Sequence, residues 1–134
     1  MKRVFKRIID WMDFVIIRES TEGLFAPAGI GTRDGDREAR ETLVITRAVS
    51  EKLFDFAFRL AEKRGKSRRV TCVDKANVFQ AFAFFREIFY ERAALNPAMA
   101  ADHAYVDAFA MTMVQNPLSI DVVATENMFG DILS

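Results

Sequence analysis

Short apolar runs of strand length alternate along this chain with longer stretches in which apolar residues recur every three or four positions. Residues 14–17 (Phe-Val-Ile-Ile), 70–73 (Val-Thr-Cys-Val) and 121–125 (Asp-Val-Val-Ala-Thr) are the clearest runs. Their β-branched and apolar content predicts strands inside a sheet. Residues 42–46 (Thr-Leu-Val-Ile-Thr) are also strand-like. Val49, Leu53, Phe56, Ala57, Leu60 and Ala61 keep helical spacing and predict a helix over residues 47–64, with Phe54 and Phe58 widening its stripe. Lys63 and Arg64 suit its carboxyl end, and Gly65 marks the stop. A second helix is predicted over residues 77–95 and ends at Asn96-Pro97, because the residue before proline is pushed out of the α region. A shorter one follows over residues 108–115. Residues 126–130 read as a loop, with Asp131 opening a last helix. Strand, helix, strand, helix, strand predicts the α/β class.

Two stretches depart from this rhythm. Residues 18–40 form a long excursion punctuated by Gly23, Pro27, Gly29, Gly31 and Gly35. A loop of that length in a compact domain is expected to be functional or an arm that packs on another chain. The helix over residues 77–95 carries Val78, Phe79, Phe82, Phe85, Ile88 and Phe89, with Phe84 and Tyr90, around most of its circumference. It is therefore expected to be buried on two sides, the second being a partner subunit.

Composition narrows the function classes. The chain has 134 residues, enough for one domain with a sizeable core, and 51% of them are hydrophobic, which argues against disorder. Nineteen basic residues balance nineteen acidic ones, so no global field attracts nucleic acid. The basic cluster Lys63, Arg64, Lys66, Arg68 and Arg69 has no interleaved aromatics and reads as a helix end with a solvated loop, not a phosphate patch. The single cysteine, Cys72, cannot form an internal disulfide, and no stretch reaches a membrane span. A cytoplasmic protein with no membrane partner is expected. Residues 1–12 hold Lys2, Arg3, Lys6 and Arg7 among apolar residues. They read as a surface helix or an appended tail, the alternative being a basic amphipathic helix that touches a membrane or partner.

The candidate chemistry gathers around residues 70–77, Val-Thr-Cys-Val-Asp-Lys-Ala-Asn. Here a strand ends in Lys75, and open α/β sheets place their ligands at the carboxyl ends of strands. Asp74 and Asn77 are helix-cap types. Asp107 and Asp131 are expected at equivalent strand ends. Two aspartates can hold a hard divalent cation such as Mg²⁺ or Mn²⁺, which polarises a carbonyl. A lysine beside the ion can act as a base, and Arg18, ending the first strand, can grip a carboxylate. His103, the lone histidine, is expected to pack and not to ligate.

Longer motifs extend this reading: Arg18-Glu19-Ser20-Thr21-Glu22-Gly23, Val70-Thr71-Cys72-Val73-Asp74-Lys75-Ala76-Asn77-Val78, Tyr105-Val106-Asp107-Ala108-Phe109-Ala110-Met111, Asn116-Pro117, and the run from Asp121 to Ser134. On these, residues 13–134 resemble the isocitrate/isopropylmalate dehydrogenase family of NAD(P)- and metal-dependent decarboxylating β-hydroxyacid dehydrogenases. The resemblance implies a partial isopropylmalate dehydrogenase-like fold, a central dimerisation and catalytic domain with an arm, incomplete at both ends. It leaves residues 1–12 as a segment outside the family. It implies oxidative decarboxylation of a 3-substituted malate of the isopropylmalate, isocitrate or tartrate type. Arg18 would grip the substrate carboxylates, Lys75 would be the base, and Asn77 would lie near substrate and nicotinamide. Asp107 and Asp131 would bind Mg²⁺ or Mn²⁺. In the family the lysine and the aspartate matching Asp107 come from the neighbouring subunit, so a homodimer with shared sites is implied.

Three departures accompany the resemblance. The family tyrosine that protonates the enol aligns with Phe25, which has no proton to give. The third metal aspartate is expected one helical turn after Asp131, beyond Ser134. The segments that carry most of the nucleotide site in the family, NAD or NADP, have no counterpart here, so the isolated chain is expected to be inactive. The alternative reading is a non-catalytic dimerisation module or gene remnant of the same family.

Overall fold

The structure, a computed structural model, describes residues 12–25 and 31–134. The reading of residues 1–12 as a surface helix or tail, and the part of the excursion holding Pro27 and Gly29, lie outside the described residues except for Met12.

Among the described residues, six strands and four α-helices follow in the order β1 (Val15–Arg18), β2 (Thr32–Asp34), β3 (Glu38–Arg40), α1 (Arg47–Arg64), β4 (Arg69–Asp74), α2 (Gln80–Ala94), β5 (Ala100–Tyr105), α3 (Val106–Gln115), β6 (Val122–Thr125) and α4 (Asn127–Leu133). Four of the strands make one parallel sheet in the order β1-β6-β4-β5. The α/β class expected from the apolar pattern is therefore observed. Every residue of β6, and all of β4 after Arg69, is buried. Such near-continuous apolar runs belong to central parallel strands covered on both faces.

Alternation along the strands divides the core into two layers. Val70, Cys72, Val122 and Ala124 face α1 and α2, where they meet Leu53, Phe54, Ala57, Phe58, Phe85, Ile88 and Phe89. Val73 and Val123 face the other way, onto Phe109, Ile120 and Leu133. The phenylalanines interlock: Phe54 lies 4.6 Å from Phe85 and 5.2 Å from Phe89, centroid to centroid.

The helix over residues 47–64 forms with the expected bounds. It ends at Gly65, whose φ of 61° lets its N–H turn back to the carbonyls of Ala61 and Glu62. Three cations of the basic cluster at its end, Arg64, Lys66 and Arg69, pair with local carboxylates. Arg64 donates to Asp121 Oδ1 at 2.9 Å and to the Asp13 carbonyl at 2.7 Å, while Lys66 pairs with Asp13 and Arg69 with Asp102.

Four expectations are corrected. The second helix begins at Gln80 and not at residue 77. Residues 75–79 instead make a turn in which Asp74 accepts the Ala76 N–H and Lys75 O accepts those of Val78 and Phe79. The stretch over residues 126–130 is not a loop, because α4 starts at Asn127 with Glu126 as its cap. Asp107 and Asp131 therefore sit inside helices, in the first turn of α3 and the second of α4, and not at strand ends. Residues 42–46 contribute only a single bridge, Val44 to Gly23. Within the excursion, β2 and β3 pair as an antiparallel hairpin whose residues are all exposed.

No helix among the described residues is long and apolar enough to cross a membrane.

Candidate active site

Parallel strands deliver their carboxyl ends to one side of the sheet, and the charged residues collect there in two groups. The first is built on β1 and α4. Arg18, the last residue of β1, donates from Nε and NH2 to Asn127 Oδ1 at 3.0 and 2.7 Å, and from NH1 to Asp131 Oδ1 at 2.5 Å. Asn127 Nδ2 donates onward to the Glu22 carbonyl at 2.8 Å, which ties the turn after β1 to the start of α4. One planar guanidinium thus spans positions one turn apart on the same helix face.

Gly130 makes that approach feasible. A Cβ there would lie 2.5 Å from Arg18 Cγ and 2.7 Å from its Cβ, near the fixed end of the arginine stem. Alanine ordinarily favours a helix over glycine by up to about 1 kcal/mol. At this position Gly130→Ala is expected to destabilise by about 1–3 kcal/mol through overpacking. It should also shift the Asn127 side-chain amide resonances as Arg18 is displaced. An unchanged denaturation midpoint and unchanged resonances would contradict this account of Arg18.

Phe25, where the resemblance places the family tyrosine, is half exposed with Arg18 Cζ 5.9 Å from its ring centroid. Its chemistry here is a cation–π contact.

The second group sits on β4, β5 and α3. Lys75 Nζ donates to Asp107 Oδ1 at 2.8 Å and lies 5.7 Å from the Tyr105 ring centroid. The Lys75 hydrogen bond, helped by backbone N–H groups of the first turn of α3, holds the Asp107 carboxyl below its ordinary range. Beneath the lysine, Asp74 is fully buried and takes two hydrogen bonds from Arg86, at 2.8 and 2.6 Å. Those bonds raise the Arg86 pKa further. Burial, and then the Asp74 charge, push the Cys72 thiol up, so it is an inert core group. Asn77 is exposed in the turn after Lys75. His103 is exposed too, with its Nδ1 2.6 Å from the Tyr90 hydroxyl and its ring edge-on to that phenol.

Within the chain Lys75 pairs with Asp107 and Asp131 pairs with Arg18. β6 separates β1 from β4, so the ends carrying Arg18 and Lys75 stand two strands, roughly 10 Å, apart. Each aspartate is paired with its own cation, and no three His, Cys, Asp or Glu side chains gather into a metal-holding cluster among the described residues. An open groove of about 730 Å³ runs along α2 beside Ala76, Ala83, Arg86 and Tyr90.

Sequence reasoning missed three residues: Asn127, which orients Arg18; Glu126, which accepts the Phe129 N–H at 2.7 Å; and Arg86, which neutralises Asp74. The one available signal was the polar run Thr125-Glu126-Asn127, directly after a buried strand and at the same sheet end as Lys75.

Comparison with known proteins bears on this geometry. The profile of the isocitrate/isopropylmalate dehydrogenase family matches residues 1–134, a range that takes in residues 1–12. The 3-isopropylmalate dehydrogenase of Listeria monocytogenes is 43% identical over 129 residues, covering 96% of this chain and 36% of that protein. That of Anaeromyxobacter dehalogenans is 42% identical, over 92% of this chain and 35% of its own length. The crystal structure of isocitrate dehydrogenase from Methylococcus capsulatus superposes with a TM-score of 0.81 at 40% identity, over 90% of this chain and 36% of that one. The chain thus spans about a third of the length of these relatives. With the profile matched from end to end and the parallel sheet shared, this chain belongs to the isocitrate/isopropylmalate dehydrogenase family.

Proposed function

We propose that this chain carries part of the site of a metal-dependent, NAD(P)-linked oxidative decarboxylase of 3-substituted malates, and that the site is completed by a second copy. The observation that carries this reading is the division of the charged residues into two groups at one end of the sheet. Arg18, Asn127 and Asp131 offer a carboxylate grip and one metal donor. Lys75 and Asp107 offer a base and another donor, two strands away.

The donor set suits a hard cation: Asp107 and Asp131 present carboxylate oxygens, and both are solvent-accessible. Within the chain each is paired with its own cation, and Asp131 would act with Asp107 of the other copy. When bound, Mg²⁺ or Mn²⁺ supplies polarisation of the substrate carbonyl. Arg18 binds and orients the malate-type carboxylates through its planar fork. Lys75, as the neutral amine, would take the proton from the substrate hydroxyl, and the ammonium so formed would be held by Asp107 and the Tyr105 ring. Asn77, exposed in the turn after Lys75, would lie near the nicotinamide of NAD or NADP. Phe25 provides an apolar wall where the family has an acid.

Exposed apolar residues support pairing of two copies. Met111, Val114 and Leu118 lie on or just beyond α3, with Val114 83% exposed, and Val78 and Phe79 precede α2. Side chains of this kind, exposed together, mark an interaction surface.

Mixing variants tests the reading. Asp107→Asn and Asp131→Asn each remove one donor from every shared site of a homodimer. Each alone is expected to bind Mn²⁺ at least tenfold more weakly than the parent chain in the presence of 3-isopropylmalate, by electron paramagnetic resonance. Mixed after refolding together, they should regain a population of parent-like sites, because one heterodimer site keeps both aspartates. Dimers that form without regaining such sites would defeat the shared-site reading.

A further inference from the structure

Glu126 is a buried ionisable side chain of this region that the proposed chemistry does not use. It is 2% exposed, and its Oε1 accepts the Phe129 N–H at 2.7 Å, capping α4. Its Oε2 is buried without a hydrogen-bond partner among the described residues. That oxygen lies against the backbone of Gly23, where a Cβ would come within 2.8 Å of it. Burying an ionised carboxylate with one oxygen uncompensated is far costlier than burying the neutral acid.

We propose that Glu126 is a proton-bearing positioning residue: as the uncharged acid it seats the start of α4 against the turn at residues 19–23, and so keeps Arg18, Asn127 and Asp131 assembled.

The groups around it fit this role. Glu19, 8% exposed on the facing turn, supplies the like charge that an ionised Glu126 would meet; its oxygens accept from the Thr21 and Glu22 N–H groups at 2.6 and 2.8 Å. Arg18 opposes the effect but is turned toward Asn127 and Asp131. Glu22 directs its carboxylate to the Thr46 N–H at 2.8 Å, and at the neighbouring strand end Asp74 is neutralised by Arg86. Burial is the leading cause that raises the Glu126 pKa, with the Glu19 charge adding to it and the Phe129 and Met128 N–H groups opposing it. The consequence for function rests on reading Arg18 as the carboxylate grip: a neutral Glu126 adds no negative charge behind an anion site. The protonation and the positioning do not depend on that reading, and they are tested without substrate.

In the unmodified 134-residue chain, ¹³C-detected titration of the glutamate side-chain carboxyls should show Glu126 gaining its charge at higher pH than a glutamate in an unfolded peptide. The Asn127 side-chain amide resonances should move with the same midpoint. Glu126→Gln keeps the oxygen acceptor and the neutral state, and should remove that step from the Asn127 profile. Glu19→Gln should move the step to lower pH without abolishing it.

The sign for stability follows from linkage. A carboxyl whose folded pKa lies above its unfolded value contributes stability present below the unfolded pKa and lost as pH rises through the folded one. The ratio of folding constants, Glu126→Gln over parent, should therefore climb with pH, by about tenfold per unit of displacement. If Glu126→Gln does not fold, the carboxyl titration of the unmodified chain and the Glu19→Gln profile still decide. A Glu126 carboxyl that titrates like a glutamate in an unfolded peptide overturns the protonation, and an Asn127 step that survives Glu126→Gln overturns the positioning.

Discussion

Arg86→Leu is expected to destabilise the chain by about 3–5 kcal/mol, the cost of leaving a buried charge without its partner. Asp74 is 0% exposed, and both its oxygens depend on the Arg86 guanidinium. Its remaining partners are weaker, the Ala76 N–H at 2.8 Å and the Cys72 thiol at 3.8 Å. The Arg86 guanidinium also lies 5.0 Å from the Tyr105 ring centroid and so links α2 to the ends of β4 and β5. The loss should therefore loosen the turn that carries Lys75 and Asn77. Urea denaturation at neutral pH measures the first effect, and hydrogen exchange at residues 75–79 the second. Because the penalty resides in the orphaned charge, the double variant Asp74→Asn/Arg86→Leu should be more stable than Arg86→Leu alone. A cost under 1 kcal/mol for Arg86→Leu would mean that Asp74 is solvated or protonated, and that this support for the lysine is misjudged.

Phe89→Ala is expected to cost a similar amount, about 3–5 kcal/mol, for a different reason. The ring is fully buried, lies 5.7 Å from that of Phe58 and 5.2 Å from that of Phe54, and its loss opens a cavity between α1, α2 and the sheet. Val114→Ala offers the contrast. Val114 is 83% exposed on α3, so its truncation should change the stability of a single copy by no more than about 0.5 kcal/mol. If two copies pair through this face, the same substitution should weaken their association in sedimentation. Comparable losses of single-copy stability at both positions would contradict the exposure of Val114 on α3.

The order of these effects explains how much could be read from the chain alone. The bounds of α1 are local: apolar spacing along 18 residues, two cations in the last turn and a glycine able to adopt positive φ. β4 and β6 are local in the same sense, since strands buried on both faces must be apolar throughout. The start of α2 was misplaced because Asp74 and Asn77 both have the chemistry of caps, and nothing nearby in sequence shows that Asp74 is claimed by Arg86, twelve positions on. The first turn of α4 reads as a loop in the sequence because its cap is a glutamate and the turn holds an asparagine and a glycine, residues that rank low as helix formers.

The site divides along the same line. The motifs around Arg18, Lys75, Asp107 and Asp131 were legible because each is a contiguous run, and together they identified the family. How the four residues are arranged was not legible. Arg18 meets Asn127 across 109 positions and Lys75 meets Asp107 across 32, and each meeting depends on which strands become neighbours. Strand order puts β6 between β1 and β4 and so divides the four residues into two groups, a division that residue type and spacing do not show and that only the family resemblance implied. Residue type and local period determined the elements and the kind of chemistry. The pairing of distant strand ends, set by packing both faces of the sheet under helices, decided that a lysine and its aspartate stand apart from the arginine and the second aspartate.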